Sequence, residues 1–122
     1  MNFPYSIPIR RHLSEKERAL VRHLLAETAP ENLWKVEQLE VFARCGCGKC
    51  PTIIFHPETD GKEPAQLVAD YMAGSPVAPV GIMLWERGGE LSELEACPFG
   101  EEEVSDWPPI ETLRPWPADS KR

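Results

Sequence analysis

A chain of 122 residues is long enough to fold as one domain around its own hydrophobic core, without disulfides or a metal ion merely to hold it together. Its 13 Lys and Arg against 20 Asp and Glu give a net charge of −7, which disfavours broad contact with nucleic acid or anionic membranes and favours a basic protein partner. No apolar run approaches the roughly 20 residues of a membrane span, and the start of the chain lacks the apolar core of a secretory signal, so we expect a cytoplasmic protein.

The two ends of the chain are predicted to be extended. Residues 1–12 contain two prolines and the Arg10-Arg11-His12 triplet, and we expect an arm lying over the domain. Residues 104–122 are rich in proline and tryptophan and predict an extended tail that its aromatic side chains pin to the domain. Because there is no internal repeat or composition break, residues 1–122 are predicted to form a single domain.

Two helices are predicted near the N-terminus. Ser14 and Glu17 fit a capping box, in which each side chain accepts a hydrogen bond from the backbone N–H of the other residue. This helix is predicted to end at about Thr28, and Pro30 suits the first turn of a second, shorter helix. The apolar positions of the first helix recur with helical spacing at Leu20, Val21, Leu24 and Leu25.

From Leu39 onwards the pattern becomes that of β-strands. Apolar and polar residues alternate over 39–45, and the run 51–56 is rich in β-branched and aromatic side chains, so each is predicted to be a strand. Residues 56–64 have the composition of an exposed loop. The segment 65–73 fits either a helix or a strand, and we assign it as a strand.

The clearest strand signal is a hairpin around the glycines at 88–89. Its strands are predicted at 80–86 and 91–96. A two-residue loop would set Leu84 against Glu93 on the core face, whereas a three-residue loop removes that conflict. We therefore predict a three-residue loop, with a core face made of Val80, Ile82, Leu84, Leu94 and Ala96.

Together these elements predict an α+β domain. Two N-terminal helices pack on an antiparallel sheet of about four strands. The cysteine loop between the strands at 39–45 and 51–56 is expected to lie at one edge of this sheet.

The loop Arg44-Cys45-Gly46-Cys47-Gly48-Lys49-Cys50-Pro51 is the one stretch with a clear chemical signal. Clustered cysteines in a reducing compartment are more often metal ligands or redox thiols than permanent disulfides. Three thiolates supply most of a tetrahedral zinc site, in which each Zn–S bond is about 2.3 Å and the sulfur atoms lie roughly 3.8 Å apart. On a flat strand the Cα atoms of Cys45 and Cys47 would be roughly 6.7 Å apart, so the loop must fold, which its glycines allow. We predict a zinc site at Cys45, Cys47 and Cys50.

A fourth ligand is required to close such a site. Cys97, at the end of the predicted hairpin, is the first candidate, and His56, at the end of the strand that leaves the loop, is the second. A water molecule in this position would make the site catalytic, but the sequence offers no evident general base.

Three other interpretations of the cysteines stay open, and one of them is a different metal ion or a metal cluster. Cys47 and Cys50 form a Cys-x-x-Cys pair that suits a thiol-redox protein, with Lys49 lowering the pKa of a thiol. Redox pairs usually open a helix after a strand, whereas Pro51 and the residues after it are predicted to be a strand. In the remaining interpretation, the cysteines stay reduced, bind no ligand and have only a structural role in the turn.

Glu93 and Glu95 are the remaining pair with chemical interest. They share one face of a predicted strand, and paired carboxylates can perform acid–base chemistry. The same pattern is typical of the solvent-exposed face of a half-buried sheet, and we interpret both as facing outward. The sequence contains no nucleophile elbow, no phosphate-binding glycine loop and no histidine pair with metal spacing.

The order of these motifs resembles a family of small uncharacterised bacterial proteins. The similarity covers about residues 14–115 and rests on the capped helix, the Arg-Cys-x-Cys-Gly-(x)-Cys-Pro-Thr loop and the hairpin that carries Gly89-Glu90-Leu91-Ser92-Glu93-Leu94-Glu95. Those relatives usually have Cys-Gly-Cys-Pro, and here Lys49 adds one residue before Cys50. The resemblance implies a bacterial, cytosolic protein with an α+β fold and implies nothing about a substrate.

The leading functional hypothesis is a non-enzymatic binding or regulatory module. Zinc at Cys45, Cys47, Cys50 and Cys97 would fix its cysteine loop, and its acidic surface would suit a basic protein, including a basic toxin that it neutralises. The alternative is a thiol-redox protein that uses Cys47 and Cys50.

Overall fold

The described residues form seven β-strands, one α-helix and two 3-10 helices. The structure is a computed structural model that describes residues 6–47, 50–56, 64–75, 77–99 and 106–115. The helices are α1 (Glu15–Thr28) and the 3-10 helices Pro30–Gln38 and Ile110–Thr112. The strands are β1 (Ser6–His12), β2 (Glu40–Cys45), β3 (Ile53–Ile54), β4 (Ala65–Ser75), β5 (Ala78–Arg87), β6 (Glu90–Pro98) and β7 (Arg114–Pro115).

All seven strands belong to one antiparallel sheet, in the order β1-β2-β3-β6-β5-β4-β7. The predicted α+β arrangement, with two helices on a sheet of about four strands, is therefore wrong, because the sheet is larger and dominates the fold. Strand β1 lies within the predicted arm and β7 within the predicted tail. Both are edge strands, and β1 is exposed at nearly every position, so neither shows the apolar alternation that reveals a half-buried strand.

The first helix agrees with its prediction. The Ser14 hydroxyl accepts a hydrogen bond from the Glu17 N–H at 3.1 Å, and the Glu17 carboxylate accepts one from the Ser14 N–H at 2.8 Å, which completes the capping box. The second helix is a 3-10 helix with Pro30 in its first turn. An ion pair between Arg22 and Glu37 joins it to α1. The apolar stripe of α1 is buried at Leu20, Val21, Leu24 and Leu25.

The β5–β6 hairpin has the predicted pairing of its strands, but its turn differs from the predicted one. Its turn has two residues, Gly88 and Gly89, with φ of 56° and 82°, so the predicted three-residue loop is wrong. Such a turn matches the right-handed twist of the flanking strands. One residue of β6, Ser92, has no partner in β5 and forms a bulge, which moves the register by one position. Leu84 consequently lies opposite Leu94, as predicted.

The hydrophobic core joins α1 to one face of the sheet. Buried side chains of α1 and of β4, β5 and β6 form one cluster, and Phe55 and Trp107 belong to the same cluster. The segment 65–73, assigned as a strand, lies within β4, which confirms that assignment. Its alternation is clear in the structure, because Ala69, Tyr71 and Ala73 are buried.

The cysteine loop joins β2 to β3. Both strands lie inside the sheet, with β1 and β6 on either side, so the expected position at an edge of the sheet is wrong. The strand predicted over 51–56 contains only Ile53–Ile54 as regular strand. In the described parts of the chain, no helix is long and apolar enough to cross a membrane.

Candidate metal centre

The sulfur atoms of Cys45, Cys47 and Cys50 converge at the ends of β2 and β3. All three lie within 4.8 Å of one another, and the Cys47 and Cys50 sulfur atoms are 3.4 Å apart. Tetrahedral zinc thiolate sites have sulfur separations of roughly 3.8 Å, so small side-chain rotations would bring these atoms to a common ion. The predicted convergence of the three thiols is therefore confirmed.

Backbone pairing closes the loop that carries these cysteines. The Cys45 N–H donates to the Thr52 carbonyl oxygen at 3.1 Å, which continues the β2–β3 ladder to the base of the loop. Residues 43 and 44 pair with residues 54 and 53 further along. Cys45 and Cys50 therefore leave adjacent strands at the same end of the sheet, and Cys47 lies between them in the loop.

Thr52 connects the cysteine loop to the central strand β6. It is 1% exposed, and its hydroxyl oxygen accepts hydrogen bonds from the Ala96 N–H at 3.1 Å and from the Cys50 thiol at 3.3 Å. The same hydroxyl lies 3.5 Å from the Ala96 carbonyl oxygen. Because a hydroxyl can also donate, Thr52 can turn its proton towards a Cys50 thiolate when a metal ion binds. Apart from its place two positions after Cys50, no sequence pattern marks this residue as part of the site.

The thiol of Cys45 is held in its protonated form. Burial raises its pKa to about 12, and the neighbouring sulfur atoms of Cys47 and Cys50 act in the same direction. A hydrogen bond from the Cys47 backbone opposes them only in part. A cation is the counter-charge that would allow the three sulfur atoms to be thiolates together.

Cys97 lies on the adjacent strand but outside this cluster. The last β3–β6 pair at this end of the strands is Ile53 with Leu94. Cys50 lies three residues before Ile53 and Cys97 three residues after Leu94, both towards the same end of the sheet. The Cys97 sulfur lies 3.9 Å from the Pro98 carbonyl oxygen. His56, the other predicted fourth ligand, follows β3 at the opposite end of that strand from Cys50 and is also outside the cluster.

A cavity of about 260 Å³ opens beside the cluster. Cys50 and Pro51 line it from the loop, Arg11 and Arg44 from the strands β1 and β2, and Trp107 from the chain after β6. The indole N–H of Trp107 donates to the Glu17 carboxylate at 3.2 Å, so this tryptophan does attach its segment to the domain, as expected of the tail. The other tail tryptophan, at position 116, lies outside the described residues.

Glu93 is a second chemically unusual residue, and the prediction that it faces solvent is wrong. It is 4% exposed, and its Oε2 atom has no hydrogen-bond partner among the described residues. Burial, with the charge of Glu95 as the next cause, raises the pKa of Glu93 to about 8. Glu95 itself accepts a hydrogen bond from the Trp85 indole N–H at 2.9 Å. A strand pattern shows which residues share a face, but not whether other parts of the chain cover that face.

Comparison with known proteins adds no identification. No family model, curated protein or solved structure matches this chain. The resemblance to a family of small bacterial proteins stays a prediction.

Proposed function

We propose that this protein is a non-enzymatic binding or regulatory module whose β2–β3 loop is fixed by a zinc ion at Cys45, Cys47 and Cys50. The observation that carries this proposal is the approach of three sulfur atoms to within 4.8 Å of one another on one short loop. A metal ion here would cross-link the ends of two interior strands. Because the chain has a core of its own, the ion would order the loop as a binding surface rather than fold the domain.

Zinc is the metal that best suits this set of ligands. Thiolates are soft ligands, and clustered thiolates favour zinc, copper(I) or iron–sulfur centres over magnesium, calcium or manganese. Closed zinc sites with three or four cysteines are usual in structural roles. A reducing, cytoplasmic setting keeps such thiols available for a metal ion, and we propose that location for the protein.

Cys97 is the fourth ligand that we favour. It lies towards the same end of the sheet as Cys50, on the strand next to β3, and would reach the cluster by a movement of its side chain and of the loop. A fourth protein ligand would close the coordination sphere, which is typical of structural sites and leaves no position for an activated water.

Metal analysis under reducing conditions tests the zinc site. We expect the purified full chain to contain about one equivalent of zinc, because three of four tetrahedral ligands already lie together. Cys45→Ser should weaken zinc binding on the order of 100-fold or more, since it removes a ligand, and loss of outer-shell contacts alone costs 10- to 100-fold. A competition titration against a chromophoric chelator gives the affinities.

The fourth ligand is identified by a matched pair of variants. Cys97→Ser should weaken zinc binding, and His56→Ala, the control, should leave it unchanged. Equal zinc affinity for the unmodified chain and Cys45→Ser would refute the metal site itself. If His56→Ala weakened zinc binding and Cys97→Ser did not, His56 and not Cys97 would be the fourth ligand.

Thiol redox chemistry is the second candidate, and the separation of 3.4 Å between the Cys47 and Cys50 sulfur atoms favours it. In this reaction the two thiols lose two electrons and two protons to a disulfide substrate and form the Cys47–Cys50 bond. The strand Ile53–Ile54, rather than a helix, follows Cys50, so no helix N-terminus stabilises a thiolate. Zinc-free protein with a reversible mass loss of two hydrogen atoms, abolished by Cys47→Ser, would favour redox over zinc.

A basic protein is the partner that we propose for this module. The net charge of −7 supports it, because an acidic surface attracts basic proteins and repels nucleic acid. Fluorescence anisotropy at low salt, with a labelled oligolysine peptide and a DNA duplex as probes, measures this preference. Binding of the duplex in place of the peptide would contradict it.

A further inference from the structure

The cavity beside the cysteine loop combines an apolar wall with charged side chains. Pro51, Ile53 and Trp107 form part of its lining, and Ile53 and Trp107 are anchored in the hydrophobic core. Arg11, Arg44, Glu17 and Asp106 supply its charges. The way in which these charges are paired shows what the cavity can bind.

Both carboxylates in the lining are already neutralised. Glu17 forms a two-point ion pair with Arg11, with N–O distances of 2.8 and 3.0 Å. Asp106 pairs with Lys16 at 2.8 Å and accepts the Trp107 backbone N–H at 2.8 Å. The charge of each carboxylate is therefore balanced within the protein, and the charge of Arg11 is balanced by Glu17.

Arg44 is the one cation in the lining whose charge is not compensated within the described part of the chain. It makes no ion pair with any described carboxylate, and its one contact there is a long one, 3.5 Å from an NH1 atom to the Cys45 carbonyl oxygen. A guanidinium has five N–H donors in a planar fork. Arg44 is exposed and lines the cavity, so most of that fork is accessible to solvent there.

We propose that this cavity binds a small monoanionic carboxylate, with the carboxylate group on Arg44 and a compact apolar body against Pro51 and the exposed part of Trp107. One uncompensated guanidinium matches one carboxylate in charge and in two-point geometry. A phosphate, with nearly two negative charges, would need a second free cation. This site goes beyond the zinc module, since none of its proposed contacts requires a metal ion.

The volume of the cavity gives the scale of the ligand. The cavity is partly open to solvent, and its volume of about 260 Å³ suits a body of roughly nine non-hydrogen atoms, at about 30 Å³ for each water-sized unit. Benzoate has this size, an apolar ring and one carboxylate, and is therefore a suitable probe. Cys50 lines the cavity and belongs to the metal cluster, so a zinc ion and a bound carboxylate would be close neighbours.

A titration followed by NMR tests the proposal. Benzoate is added to the full chain under reducing conditions, with and without one equivalent of zinc, and backbone and indole N–H shifts are recorded. We expect saturable shifts that include the Trp107 indole, with a dissociation constant of about 1 mM or lower in both states. Arg44→Gln should weaken binding by about tenfold or more, because a charge-assisted hydrogen-bond pair is lost.

Two controls, a variant and an uncharged ligand, are compared with this result, and inorganic phosphate is titrated as a competing anion. Arg22→Gln removes an exposed arginine of α1 that does not line the cavity, and it should leave the benzoate affinity unchanged. Benzyl alcohol keeps the ring without the charge and should bind at least tenfold more weakly, which needs no variant to fold. The absence of saturable shifts, equal effects of both arginine variants, or tighter binding of inorganic phosphate than of benzoate would overturn the proposal. Because the titration is also made without zinc, its failure is distinct from failure of the metal site.

Discussion

Glu17→Ala is expected to lower the free energy of unfolding by about 3 kcal/mol, because it removes a buried carboxylate that accepts four hydrogen bonds. Their donors are the Ser14 N–H, two guanidinium nitrogens of Arg11 and the Trp107 indole. These contacts join α1, β1 and the segment after β6. Urea unfolding at neutral pH measures the loss.

Glu15→Ala is the matched control for this prediction. Glu15 is also in the first turn of α1, but its side chain is 91% exposed and pairs only with Arg18 among the described residues, so it should cost less than about 1 kcal/mol. A similar cost for both variants would show that the helix terminus, and not the buried network, determines the effect.

The contribution of Glu17 is also expected to depend on pH. Burial by itself would raise the pKa of Glu17, but the hydrogen bonds from Arg11, Ser14 and Trp107 outweigh burial and lower it below its usual value. A lowered pKa in the folded state gives stability that is complete above the unfolded pKa and is lost as the pH falls through the folded pKa. The difference between Glu17→Ala and the unmodified chain should therefore shrink on acidification.

Glu93→Gln should stabilise the protein at alkaline pH and have much less effect at acidic pH. The pKa of Glu93 is about 8 in the folded state, so the folded chain holds one proton that the unfolded chain has released above the ordinary pKa of glutamate. The contribution of protonated Glu93 to the free energy of unfolding is therefore complete at low pH and is lost as the pH rises towards 8. Between the ordinary pKa of glutamate and pH 8, the free energy of unfolding falls by roughly 1.4 kcal/mol for each pH unit. A glutamine at this position does not ionise, so the variant does not show this fall.

Unfolding titrations at a series of pH values from about 5 to 8 measure this effect. Glu90→Gln is the control, because Glu90 lies on the same strand and is exposed. We expect the Glu93→Gln curve to diverge steadily from that of the unmodified chain and the Glu90→Gln curve to run parallel to it. Parallel curves for both variants would mean that Glu93 is ionised in the folded protein.

The cysteine loop and the cavity beside it form the region on which the functional proposals depend. Thr52 attaches Cys50 to the central strand β6, and Trp107 brings the segment after β6 to the other wall of the cavity. A zinc ion would hold the loop, and Arg44 would offer its charge next to it. Order in the loop and occupancy of the cavity are therefore expected to influence each other.

Local patterns determined the parts of the fold that depend on neighbouring residues. The capping box at Ser14 and Glu17 fixed the start of α1, and the apolar stripe fixed its buried face, because both involve residues within one or two helical turns. The short Cys-x-Cys-x-x-Cys spacing brought three sulfur atoms together for the same reason. In the hairpin, the apolar alternation predicted correctly that Leu84 lies opposite Leu94. A bulge at Ser92, and not a longer loop, produces this pairing.

Only the tertiary structure decided the features that depend on distant residues. Strand β1 is an edge strand held by pairing with β2, and its exposed side chains carry no periodic signal. Burial of Glu93 depends on what covers its face of the sheet, and the cavity at Arg44 requires the segment of Trp107 to return to α1. The sequence by itself determined where the cysteines converge; the strand order decided that they do so inside the sheet, with Cys97 on the strand beside them. The physical reason is that spacing along the chain controls local geometry, whereas long-range pairing and burial arise from the packing of the whole domain.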